Sequence, residues 1–295
     1  PPSFQAEDGI RDLVARLVGS EMCIRDRAIT DPTAVSIPED RAHSLFRWNA
    51  VLAVLHAIQG LLILGLSFAR DPMVTSPEVT SYLSFDEANS TLVQAQRELF
   101  EIPIGPALAT FFFMSSIAHA LLAWPLRGWY ERRLSTGIQP MRWIEYALSS
   151  SVMIVVIAAL AGIQEIGTLV AIFGINAAMN LFGWSMESAN QGRAKVQWNH
   201  YVFGCIAGIV PWIVIGIALW SASTEPGAAP IPTFVFVIFA TLFVAFNVFA
   251  ITMILQYGKI GRWKDYLVGE KTYMFLSLFA KTLLAWQVFA GTLAP

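Results

Sequence analysis

Residues 277–293, SLFAKTLLAWQVFAGTL, form an apolar run that holds one charged side chain, Lys281. Lys281 follows Lys271 by ten residues, so on a helix it lies ~15 Å deeper than that residue. A charged head reaches the interface only from near a helix end. An unpaired ammonium at the centre of a span costs at least ~2.5–3.5 kcal/mol on insertion scales. Amines taken out of water give up their proton more readily, which suits them to Schiff-base formation with an aldehyde. Lys281 is therefore read as the attachment point of a cofactor. The alternative is that it forms half of a buried ion pair joining two helices.

The rest of the chain supports a membrane reading of this stretch. Of 295 residues, 56% are hydrophobic and 14% charged, and the mean hydropathy is +0.57. Such values belong to polytopic membrane proteins rather than soluble domains. A net charge of −2 gives no reason to expect nucleic-acid binding. Runs of about 20 residues, enough to cross a bilayer as helices, occur at 47–69, 104–126, 141–162, 166–187, 201–221, 233–257 and 272–293. Pro211 is the proline expected to bend a span from inside. The sequence thus predicts an all-α membrane protein with seven spans over 41–295. Residues 1–40 are a mixed-charge tail with no apolar stretch long enough for a signal peptide. Within it, residues 6–27 resemble translated adapter sequence, and residues 1–27 carry no functional weight. Cys23 in the tail and Cys205 in a span are not expected to pair.

Loop charges set the direction. Twelve basic residues flank one side: Arg41, Arg47, Arg127, Arg132, Arg133, Arg142, Arg193, Lys195, Lys259, Arg262, Lys264 and Lys271. The other side has only Arg70 and Arg97. Positive charge stays inside, so the N-terminus is expected in the cytoplasm and the C-terminus outside the cell. The 70–103 linker is the one long outer loop. Its alternating stretch VTSYLSF, ending at Phe85, predicts a strand of a short hairpin over the outer mouth, and Asn89-Ser90-Thr91 fits a glycosylation sequon.

Polar residues inside the spans are not scattered. Span one carries His56 and Gln59, and span two Ser115 and His119. Span three opens RWIEYALSSS, with Arg142, Glu145, Tyr146 and Ser149 on one face, and span four aligns Asn176, Asn180 and Glu187. Ser277 lies one turn before Lys281. His56 is nine residues inside Arg47, and His119 is eight before Arg127. Both therefore sit ~12–14 Å from the same edge, the one by which Glu145 enters. The polar cluster occupies the cytoplasmic half, whereas VMIVVIAALAGI, the outer half of span three, has no titratable group.

Seven spans, an inward N-terminus, RWIEY in span three and SLFAKTLLAWQVFAGTL in span seven resemble a heliorhodopsin over residues 41–295. The resemblance implies a rhodopsin-type bundle, inverted relative to ordinary microbial rhodopsins. It implies all-trans retinal as a protonated Schiff base on Lys281, with Glu145 as counterion and Ser277 and Ser149 as neighbours. It also implies a cytoplasmic-side polar cavity lined by His56, Gln59, Ser115, His119, Tyr146 and Asn176, and a second polar group made by Glu187 with Trp143. Phe239, Phe243 and Phe246 of span six are candidates for walls of a polyene pocket. Gly204-x-x-x-Gly208 permits close helix approach, either in the homodimer that the resemblance implies or in packing within the chain.

The same residues separate a sensor from a pump. Arg142-x-x-Glu145 resembles the Arg-x-x-Asp of light-driven proton pumps. Val156, however, stands where those pumps place a carboxylic donor, and Ser277 where they place a second carboxylate. The expected function is a light-sensing photoreceptor without net ion pumping, whose output is read by a cytoplasmic partner. The alternatives are a light-driven proton or ion transporter, and a retinal-free receptor or transporter in which Lys281 pairs with Glu145. Metal-ligand clusters, phosphate loops and Ser-His-Asp arrangements are not apparent, so the residues do not point to an enzyme.

Overall fold

A computed structural model describes residues 37–227 and 230–293. The 1–40 tail, Cys23 included, falls almost wholly outside the described residues. Apolar composition forces backbone polar groups to pair within each segment, and the long apolar runs are helices. The order is α1 (Glu39–Phe68), β1 (Thr75–Asp86), β2 (Thr91–Pro103), α2 (Ile104–Ala123), α3 (Arg127–Ser135), α4 (Pro140–Leu160), α5 (Ile166–Asn190), α6 (Asn199–Thr224), α7 (Thr233–Tyr257), a 3₁₀ turn (Gly261–Lys264) and α8 (Tyr266–Leu293). Every α-helix except α3 is long and apolar enough to cross a bilayer, which makes seven spans among the described residues.

Several boundaries move outward from the sequence expectation. α1 begins eight residues before 47 and α8 six before 272, because both helices continue beyond the apolar run onto charged residues. α2 stops at Ala123, ahead of Pro125, and the linker that follows contains the unexpected short helix α3. α6 runs through Pro211 without a break. Contacts follow a ring in which α1 meets α2 and α8, α2 meets α4, α4 meets α5, α5 meets α6, and α7 meets α8. α4 also touches α6 and α7, so it is the central helix, and its residues Met153, Ile154, Val156 and Ile157 lie in the main apolar core. Gly204 and Gly208 serve packing inside the chain. A Cβ on Gly208 would come within 2.5 Å of the Met179 sulfur, and one on Gly204 within 3.3 Å of Phe182, both on α5.

The 70–103 linker forms an antiparallel hairpin, longer than the predicted strand, with Thr75 paired to Pro103, Asp86 to Thr91 and a bulge at Glu78/Val79. Asp86 closes the turn by accepting the Ala88 N–H at 2.9 Å, and the sequon residues Asn89 and Ser90 sit at that turn. α4 ends at Leu160, and just beyond its cap stands Gly162, whose φ of +89° favours glycine. Its neighbour Ile163 donates to the Ala158 carbonyl at 3.0 Å. The next residues dock the hairpin, since Val79 N–H donates to the Gln164 carbonyl at 2.9 Å. Glu165 caps α5 by accepting the Thr168 N–H at 2.7 Å, and that bond holds its carboxyl below the ordinary carboxylate range.

Glu78 is the anomaly of this layer. It is wholly buried, neither carboxylate oxygen has a partner, and burial pushes its carboxyl up. A carboxyl raised in the folded state supports folding fully below its ordinary value and loses that support as pH rises through the folded one. Protection of β1 amides against hydrogen exchange, corrected for intrinsic rate, is therefore expected to fall with rising pH. Glu78→Gln should flatten the dependence, and an equal fall in both proteins would contradict this reading of Glu78.

Candidate functional site

Lys281 and Glu145 meet in the middle of the bundle. Lys281 Nζ lies 3.2 Å from Glu145 Oε1, and the two side chains are 3% and 8% exposed. The same Nζ donates to Ser277 Oγ at 2.7 Å, one helical turn below. Ser115 of α2 donates to Glu145 Oε1 at 2.6 Å. Ser149, one turn along α4, lies beside that carboxylate, its buried hydroxyl without a partner. The Tyr146 ring faces the ammonium, 5.5 Å from its centroid, and the Tyr146 hydroxyl donates to the Tyr273 carbonyl at 2.8 Å. Two opposite charges out of water hold each other strongly, whereas removing one strands the other at a cost of about 3–5 kcal/mol.

The histidines sit beside this pair on the α1–α2 side. His56 and His119 stack at 5.6 Å with ring planes 7° apart. His119 Nδ1 pairs with Asn49 Oδ1 at 2.8 Å; because a carbonyl oxygen only accepts, Nδ1 carries the proton. Both ring nitrogens of His56 are buried without partners. The remaining cavity candidates lie elsewhere. Gln59 accepts from Thr282 at 2.9 Å. Asn176 donates to Ser150 at 2.8 Å and Ser151 at 3.0 Å, and Asn180 joins it through Ser150 at 3.0 Å. The single polar cavity expected from sequence is thus two polar groups on opposite sides of the Lys281–Glu145 pair.

A third group lies one turn nearer the basic face. Arg142 turns away from Glu145 and forms buried ion pairs with both Glu187 on α5 and Glu270 on α8. Trp143 Nε1 donates to Glu187 at 2.7 Å, as expected of that pair, and the Gln139 N–H and Tyr266 hydroxyl add bonds of 2.9 and 3.1 Å. Glu270, Tyr130, Gln139 and Asn49 were missed by sequence reasoning. Glu270 and Gln139 stand in segments that read as linker. Tyr130 lies on the helix that was not expected, and Asn49 stands two turns from His56 on a face the sequence marks only by that spacing.

Lys281 also borders open space. It lines a cavity of about 60 Å³ with Tyr146, Met153, Phe246 and Phe249. That cavity shares Trp143, Met179, Asn180, Phe246 and Phe249 with a larger one of about 340 Å³ between α5, α6 and α7. Phe243 lines the larger cavity, while Phe239 stands behind it, edge-on to the lining residue Trp212 at 5.6 Å. Apolar, aromatic-walled spaces of ~300–1,000 Å³ with a few polar groups are typical ligand sites. An amine at one end and aromatic walls beyond it fit an elongated apolar aldehyde. Among the described residues no cluster of His, Cys, Asp and Glu could hold a metal ion.

Fold and site together define a seven-helix membrane protein of rhodopsin type. The family model for heliorhodopsin matches residues 45–293, and the chain belongs to the heliorhodopsin family. Members of that family bind retinal. Among solved structures the chain is similar to the transmembrane domain of Salpingoeca rosetta rhodopsin phosphodiesterase. The TM-score is 0.59 at 12% identity, covering 89% of this chain and 90% of that one. A second structure, of that domain with its linker region, gives 0.56 at 12% identity over 99% and 95%. Likeness at such identity concerns the fold alone. Comparison with curated proteins gives no match.

Gly183 positions the Trp143–Glu187 pair of the third group. A Cβ there would fall 2.3 Å from the Trp143 ring, so α4 and α5 approach closely only because the residue is glycine. Gly183→Ala is expected to displace the ring, break its bond to Glu187 and cost about 1–3 kcal/mol through overpacking. Thermal unfolding of the purified protein measures this, and an unshifted midpoint would contradict the close approach.

Proposed function

We propose that this chain is a light-sensing membrane photoreceptor that carries all-trans retinal on Lys281, with Glu145 as the single counterion and no net ion pumping. The observation that carries the reading is the buried Lys281–Glu145 pair at 3.2 Å at the end of an aromatic-walled cavity. Retinal held there as a protonated Schiff base would supply light absorption and isomerisation. Tyr146, Met153, Phe246 and Phe249 would bind and orient the polyene. Glu145 would balance the cationic nitrogen, held in place by Ser115 from α2. Ser277, whose hydroxyl oxygen accepts a hydrogen bond from Lys281 Nζ, would stay its nearest hydroxyl. His119, with Asn49 behind it, and His56 would receive a proton displaced from the pair.

Orientation follows from the twelve-to-two bias of basic residues, with the α1 N-terminus cytoplasmic and the hairpin outside. The absence of pumping is inferred from the apolar outer half of α4, where Val156 is buried among Ile154, Ile157 and Ala158. The partners in this reading are the lipid bilayer, a second copy of the chain and a cytoplasmic protein that receives the signal. Glu78 favours a second reading, light-driven transport, because a buried unpaired carboxyl on the hairpin side would be a proton site on the opposite face.

Reconstitution tests these readings. Adding all-trans retinal to the apoprotein should produce a visible band that Lys281→Ala abolishes. Glu145→Gln should shift the band to longer wavelength or remove Schiff-base protonation. No band, or one that survives Lys281→Ala, would support a retinal-free receptor or transporter. Illuminated cells should show no protonophore-sensitive pH change, and such a change would favour transport.

A further inference from the structure

We propose that α3 is the output element of this protein and that the Tyr130–Glu270 hydrogen bond is the latch that holds it. The proposal rests on the photosensor reading and names what that reading leaves unassigned, the segment a cytoplasmic partner meets. Its starting point is the charge of the Arg142 cluster. One guanidinium faces two carboxylates, all of them buried, so the cluster has a formal charge of −1.

The donors in that cluster are unevenly divided. Glu187 takes Arg142, the Gln139 N–H, Trp143 Nε1 and the Tyr266 hydroxyl. Glu270 takes Arg142, the Tyr130 hydroxyl at 2.9 Å and Gln139 Nε2 only at 3.4 Å. A carboxylate with fewer donors is the poorer home for negative charge, so a proton entering the cluster forms its O–H bond on Glu270.

Two connections bring that proton from the chromophore pair. A cavity of about 20 Å³ is lined by His119 and Glu145 on one side and by Gln139, Arg142 and Glu270 on the other. That is about the room one water needs, and the buried Gln139 Oε1 and Arg142 Nε lack partners. Asn49, bonded to His119, also neighbours the Tyr130 hydroxyl. The groups around Glu270 are therefore Tyr130 from α3, Asn49 beyond it on α1, Gln139 just ahead of α4, Arg142 and Tyr146 on α4, Glu187 from α5, Tyr266 and Tyr273 from α8 itself, and His119 and Glu145 across the cavity.

Tyr130 makes this charge legible at the surface. A hydrogen bond to an ionised acceptor is roughly twice as strong as one to a neutral group, so a protonated Glu270 grips Tyr130 less. α3 has nine residues, of which only Tyr130 and Leu134 are buried, so one weakened anchor matters to the whole helix. Its outer face presents Arg132 and Arg133, with Arg133 over the Trp129 ring at 5.8 Å. The partner that fits a basic, aromatic surface of this kind is an acidic protein segment.

Hydrogen exchange of residues 127–135 tests the latch in protein supplied with retinal. Light is expected to speed exchange severalfold in the wild type. In Tyr130→Phe and Glu270→Gln exchange should already be fast in the dark and gain nothing from light, with the visible band unmoved. Protection unchanged by light in a pigment that bleaches and recovers would overturn the proposal, as would a light response that survives Tyr130→Phe. A second arm uses the retinal-free protein, so that failure of the photosensor reading stays distinguishable. Acidification should free residues 127–135 in the wild type, and an apoprotein whose α3 ignores pH overturns the latch whatever the pigment does.

Discussion

An ammonium and a carboxylate face each other 3.2 Å apart, both buried, and the surrounding bundle is organised around that fact. Neither charge is tolerable alone at that depth. Ser277 and Ser115 each add one hydrogen bond to the pair, and the Tyr146 ring faces the ammonium. α4 supplies Glu145, Tyr146 and Ser149 from one face. It can do so because it is the most buried of the spans, in contact with α2, α5, α6 and α7.

The polar interior is layered along α4. Nearest the hairpin the core is apolar, with Ile154, Val156 and Ile157 packed against α6, α7 and α8 residues such as Ile215, Ile238 and Leu284. The charge pair comes next, flanked by the stacked histidines on one side and the Ser150–Asn176–Asn180 group on the other. Below it Arg142 gathers Glu187 and Glu270. Since Arg142 points away from Glu145, these are two charge systems on one helix, separated by a small cavity that both line. Such an arrangement places the titratable groups of the bundle on the basic side of α4 and leaves its hairpin side apolar.

Much of this was legible in the sequence, and the reasons for the rest are specific. α7 was read with correct bounds because Pro232 and Gly258 punctuate an unbroken apolar run. Lys281 and Glu145 stood out because charge inside a span is rare. Glu270 did not, since GEK before an apolar run reads as the edge of a loop, although the helix continues through it. α3 was invisible because RGWYERRLS is nine residues long and too polar for a span, and it is held by a tyrosine whose partner lies 140 residues away. The hairpin was found through its alternation, but its length was not, because exposed β2 has no apolar face to mark it. Gln59 shares a turn with His56 yet pairs with Thr282; periodicity gives a face and does not give the neighbour that meets it.

Covalent attachment at one side chain is the claim on which the rest depends, and chemical trapping tests it most directly. Protein incubated with all-trans retinal is reduced with borohydride, digested and mapped by mass spectrometry. A retinyl mass should appear on the peptide that carries Lys281 and on no other. An adduct on Lys271 or another lysine, or an unmodified Lys281 peptide in a protein that had turned coloured, would contradict it.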